Sequence, residues 1–149
     1  MYKTILVPLD GSKRAETILP HVENMALRYD AKIVFLQIIS SVGEYQTLLA
    51  PDYRYREAYE QHNKEAESYL TNLVDQFQAK GVSAIKKVGH GRVVETIIKI
   101  SEEMNVDLIA FSSHGRSGVK RVFYGSVASG LLSNVDRPLL LIRSRSFEP

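Results

Sequence analysis

Apolar residues fall along this chain in short, nearly continuous runs, and the segments between them carry apolar positions three and four apart. Four runs read as buried strands: Ile5–Pro8, Ile33–Ile39, Leu108–Phe111 and Leu139–Ile142. Their lack of alternation suits strands covered on both faces, as in a parallel sheet. A fifth, weaker strand is predicted at Val82–Val88, where Lys86 and Lys87 suggest an edge position or an exposed end. Between the runs lie helical patterns. Over 13–29, Ile18, Val22, Met25 and Ala26 share one face, and Ser12 stands where an N-cap would. A long polar helix from about 56 to 80 presents Ala66, Tyr69, Leu70, Leu73 and Phe77, and Gly81 stops it. Val93, Val94, Ile97, Ile98 and Ile100 mark a helix over 92–104, and a last helix runs to about Asn134 with Val127 and Leu131 one turn apart.

The resulting order, β-α-β-α-β-α-β-α-β, predicts an open, Rossmann-like α/β fold with a five-stranded parallel sheet and helices on both faces. Ligands of such sheets sit beyond the C-terminal strand ends, where strand order reverses. No internal repeat or linker composition breaks the chain, so residues 1–149 read as one domain. One piece is irregular. The segment 40–60 is longer than an ordinary βα connection and concentrates Tyr45, Tyr53, Tyr55 and Tyr59. It reads as a surface loop and helix start packed onto the body, or as a lid or partner surface.

Composition narrows the function classes. The chain has no cysteine, which excludes a disulfide framework, a thiolate zinc site and a thiol nucleophile. A formal net charge of +2 does not call for a nucleic-acid partner. No apolar stretch approaches the roughly 20 residues that span a bilayer. The expectation is a soluble, cytoplasmic protein without a membrane or nucleic-acid partner.

Candidate chemistry collects at strand ends. Asp10, in "VPLDGS", is either a turn-forming residue or a hydrogen-bond acceptor and indirect metal ligand beside a phosphate. "GHGRVV" begins like a dinucleotide fingerprint, but Val94 occupies the sixth position, so Gly89 and Gly91 read as turn glycines and His90 as an exposed turn residue. The stretch 112–127, "SSHGRSGVKRVFYGSV", holds three glycines, four serines and three basic residues. Gly125-Ser126 precede Val127 at a helix start, where free backbone N–H groups can point at an anion. The hydroxyls and the charges of Arg116, Lys120 and Arg121 would complete an anion-binding nest; a flexible loop with a solvated basic patch is the alternative. If Gly125 and Gly130 lie within the helix, each costs about 1 kcal/mol relative to alanine, which implies a backbone or close-packing reason. No Walker A loop, G-x-S-x-G elbow or His pair at metal-ligand spacing can be read, so no catalytic residue is assigned.

Four motifs together carry a family resemblance: "ILVPLDGS" (5–12), "VGHGRVVETI" (88–97), "SSHGRSGVKRVFYGSV" (112–127) and "RPLLLIR" (137–143). The whole chain resembles a single-domain universal stress protein of the UspA superfamily, in its nucleotide-binding branch. The resemblance implies strand order 3-2-1-4-5, a cytoplasmic stress-response protein, and a homodimer paired through the last strand, Pro138 to Arg143. The branch's motif G-x2-G-x9-G-[ST] falls on Ser112, Gly115, Gly125 and Ser126, so serine stands where the motif has its first glycine. The resemblance further implies that Pro8, Asp10 and Ile38 stand on the adenine and ribose side. Ser113, His114 and Arg116 would flank the phosphates, beside Gly125, Ser126 and Val127. The implied ligand is ATP, with AMP or ADP as variants and Mg2+ or Mn2+ as a companion near Asp10. Binding without rapid turnover is the implied activity. The alternative is a dimeric interaction module that binds no nucleotide.

Overall fold

The computed structural model describes residues 1–39, 52–114 and 125–144. Five strands form one sheet in the order β3-β2-β1-β4-β5. They are β1 (Thr4–Pro8), β2 (Lys32–Ile39), β3 (Ala84–His90), β4 (Leu108–His114) and β5 (Leu139–Ser144), and every neighbouring pair is parallel. The helices are α1 (Leu19–Tyr29), α2 (Asp52–Ala79), α3 (Val93–Glu103) and α4 (Gly125–Asn134).

Successive strand residues serve opposite faces. Ile5, Val7, Ile33, Phe35, Leu108 and Ala110 pack with Val22, Ala26, Leu70, Leu73 and Phe77 of α1 and α2. Leu6, Val34, Leu36, Ile109 and Phe111 pack with Ile97, Ile100, Ala128 and Leu131 of α3 and α4. Both faces are covered, which is why the central strands are apolar through their middle stretches, Ile5–Val7, Ile33–Leu36 and Leu108–Phe111. At the edge, β3 leaves Lys86 and Lys87 exposed, with Lys86 paired to Glu67 of α2 at 2.7 Å.

Three local differences from the sequence reading have physical causes. The helix expected over 13–29 begins as a 3-10 turn, Ala15–Ile18, before α1. Pro20 has no N–H to close an α-helical bond to Glu16, so the entry tightens. Ser12 still caps that entry, its Oγ accepting the Ala15 N–H at 3.1 Å. Strand β4 runs to His114, not Phe111, because Ser112, Ser113 and His114 find partners in Ile142, Arg143 and Ser144. Ser144 Oγ also donates to the Ser113 carbonyl at 2.6 Å. Gly89 lies within β3 and is not a turn glycine. A Cβ there would stand 2.8 Å from Thr96 Cγ2 and 3.1 Å from Ile100 Cδ1, so Gly89 lets α3 lie close on the sheet. His90, the last residue of β3, is exposed, with its Nε2 2.7 Å from Asn63 Oδ1.

Candidate functional site

The sheet's order reverses between β1 and β4: the chain proceeds outward through β2 and β3, then returns to the other side of β1. A cleft of about 730 Å³, counting its open mouth, lies at the C-terminal ends of these strands. Pro8, Leu9 and Asp10 enter it from the end of β1, and Leu36 and Ile38 from β2. Phe111, Ser112 and Ser113 come from β4, and Gly125 through Ala128 from the first turn of α4. Val93 and Ile97, one turn apart on α3, and Ala15 complete the wall.

The floor is apolar and the rim polar. Leu36, Ile97 and Phe111 are buried, whereas Asp10 and Ser126 are exposed. Asp10 shapes its own turn, accepting the Ser12 N–H on Oδ1 at 2.9 Å. The turn-forming and site-lining readings of Asp10 are therefore compatible: one carboxylate oxygen builds the connection while the side chain stands at the cleft. Among the described lining residues Asp10 carries the only charge. Any anion held here by described groups would meet backbone N–H dipoles and hydroxyls.

The start of α4 supplies those dipoles. Gly125 opens the helix with φ +73°, the left-handed region, and the first-turn N–H groups have no preceding helical carbonyl to bond. Among the described residues, no atom lies within 4 Å of a Cβ built on Gly125. Gly130 has a different reason. Its Cβ would lie 2.7 Å from Val94 Cγ2, so it allows α3 and α4 to pack closely. The two helix glycines thus serve the backbone and packing reasons expected of them.

At Ser112 the backbone is regular strand, paired with Ile142. The position where the family motif carries its first glycine requires no positive φ here. Ser112 Oγ lies 2.7 Å from Thr17 Oγ1, tying β4 to the turn after β1.

Pro8, Asp10, Ile38, Ser112, Ser113, Gly125, Ser126 and Val127 are thus brought together in one cleft. His114 ends β4, while Gly115, Arg116, Lys120 and Arg121 lie outside the described residues. So do Tyr45 and the rest of the 40–51 portion of the Tyr-rich segment; Tyr55 and Tyr59 are half-buried on α2. Sequence reasoning missed Ala15, Thr17, Val93 and Ile97. The last two followed helical spacing and were read as core alone. The turn residues carried no sequence signal of their own.

Beside the cleft, on the α2 side, Tyr69 Oη is buried and has no hydrogen-bond partner among the described residues. Burial, with the carboxylates of Glu16 and Asp10 adding to it, pushes its phenol up to about 12. No group of three His, Asp or Glu side chains among the described residues is arranged to hold a metal. No described helix is long and apolar enough to cross a membrane.

This fold is that of a known class. The model of the universal stress protein family matches residues 1–143, and the chain belongs to that family. It is 26% identical to universal stress protein MJ0577 of Methanocaldococcus jannaschii, over 98% of each chain. The solved structure of MJ0577 superimposes with a TM-score of 0.82, covering 98% of this chain and 99% of that one. Two more distant structures share the fold. One, a universal stress protein in complex with cAMP, is 16% identical with a TM-score of 0.71, covering 97% and 98%. The other, from Arabidopsis thaliana with AMP bound, is 14% identical with a TM-score of 0.68, covering 97% and 93%.

Proposed function

We propose that this protein binds an adenine nucleotide in the cleft as a regulatory ligand of a cytoplasmic stress response, without rapid turnover. The observation that carries the reading is the junction at Gly125: a left-handed glycine opens α4 with no described residue crowding it, above an apolar floor at the switch point of the sheet. In this reading the base lies between the ends of β1 and β2, near Pro8 and Ile38. The ribose and phosphates meet Asp10, Ser112 to Arg116 and Gly125 to Val127. ATP is the proposed ligand, with AMP and ADP as shorter variants. The cAMP and AMP complexes of two proteins that share the fold support an adenine ligand.

A companion Mg2+ or Mn2+ would arrive on the phosphates and meet Asp10 through water, neutralising charge that the described wall does not.

We further propose that the protein dimerises through β5. Its apolar residues Leu139 to Ile142 are only partly buried, and β5 forms the second edge of the sheet.

Amide spectra recorded during titration with ATP and magnesium test the site. Shifts should concentrate at 9–12, 38, 112–116 and 125–128. Saturable shifts centred elsewhere, or none, would reject it.

A further inference from the structure

The pair formed by Ser112 and Thr17 has a defined hydrogen-bond polarity. Their hydroxyl oxygens are 2.7 Å apart. Thr17 Oγ1 is also 2.7 Å from Arg14 O, and Ser112 Oγ is 3.4 Å from Ala15 O. Each hydroxyl has one proton, and a carbonyl can only accept. If Thr17 donates to Arg14, then Ser112 donates to Thr17, and both 2.7 Å contacts are bonds. If Thr17 donates to Ser112 instead, the Ser112 proton has only the long contact to Ala15, and Arg14 loses a short one. The first arrangement is the stronger. In it, the Ser112 proton is turned toward the connection after β1.

Ser112 nevertheless lines the cleft. What its hydroxyl offers a ligand is therefore a lone pair. An ionised phosphate oxygen brings only lone pairs and would be repelled there. A sugar hydroxyl brings a proton and would be accepted. A glycine, which the motif has at this position, has no side chain with which to make either distinction.

Resting on the nucleotide reading above, the geometry points to Ser112 as a specificity-determining acceptor for a ligand's sugar hydroxyl, with Thr17 as the positioning residue that fixes its polarity. The anionic part of the ligand is thereby left to Gly125 and the start of α4, and the departure from the motif becomes a contact for the neutral part.

The test uses the full chain with ATP, 2′-deoxy-ATP and 3′-deoxy-ATP, read as dissociation constants by calorimetry. One deoxy analogue should bind wild type about 5-fold more weakly than ATP, the scale of one neutral hydrogen bond. Ser112→Ala should abolish that difference. Thr17→Val should shrink it, since the proton is then free to turn into the cleft, and should raise affinity for ATP relative to adenosine. Thr17→Ser, which keeps the acceptor, should behave as wild type; it and Ser112→Ala decide the matter even if Thr17→Val folds poorly. Equal binding of all three nucleotides by wild type, or discrimination that survives in Ser112→Ala, overturns the inference alone. Failure of wild type to bind either ATP or adenosine overturns the nucleotide reading and this inference with it.

Discussion

Gly125 and Ser112 occupy two positions of one motif, yet they answer to different physics. At Gly125 a positive φ is required and no described residue stands where a Cβ would go, so a side chain there is penalised by backbone strain and, in the proposed function, by the nucleotide. Gly125→Val should lower stability by about 1–3 kcal/mol in urea denaturation and abolish ATP binding. Gly125→Asn, better tolerated in the left-handed region, should recover much of the stability. The sequence exposed the special nature of Gly125 through its place at a helix start. It could not show that Ser112 sits in regular strand, because that depends on β5 pairing beyond Phe111. Tyr69 supplies a separate test. Its phenol is raised to about 12 in the folded protein, against an ordinary value of 10.0. Between those values the unfolded chain loses the proton and the folded chain keeps it, so stability falls as pH rises from 10 toward 12. Tyr69→Phe should flatten that part of the pH–stability curve. Near neutral pH it should leave stability unchanged or higher, because the hydroxyl removed has no described partner.

The elements themselves were largely legible because period and burial coincide. Ile33–Ile39 is apolar but for Gln37 and lies in the second strand, covered on both faces; Ile18, Val22 and Ala26 recur one turn apart and are all buried. Legibility failed where a tertiary neighbour decides. Gly89 and Gly91 look alike in sequence, yet one ends up inside a strand pressed on Thr96 and the other in the following turn. Val93 and Ile97 share the pattern of a core face, but both also line the cleft. The α3–α4 contact provides the test at this scale. Gly130→Ala would place a methyl 2.7 Å from Val94 Cγ2 and should destabilise the fold by about 1–3 kcal/mol. Val94→Ala in the same chain should restore part of that loss. The coupling, measured by a double-mutant cycle in urea, should be at least about 0.5 kcal/mol.

For the whole molecule, topology does the positioning. Because the chain crosses from one side of β1 to the other, the ends of β1, β2 and β4 and the start of α4 converge on one cleft. Motifs separated along the sequence become neighbours for that reason alone. The opposite edge carries the assembly proposal. The Pro138 carbonyl accepts from the Ile109 N–H, so alternate residues of β5, Leu139, Leu141 and Arg143, turn their backbone groups outward. Leu141→Pro removes one outward N–H without breaking the inner ladder. Sedimentation should then show monomer where wild type shows dimer, with the far-ultraviolet spectrum unchanged; a wild-type monomer would contradict the proposed pairing. The central claim concerns the cleft, and calorimetric titration of the purified protein with ATP in magnesium addresses it directly. The account predicts saturable binding near one nucleotide per chain, competed by AMP and absent in Gly125→Val. A wild-type protein that releases no binding heat across temperatures and retains no ATP in equilibrium dialysis would contradict it.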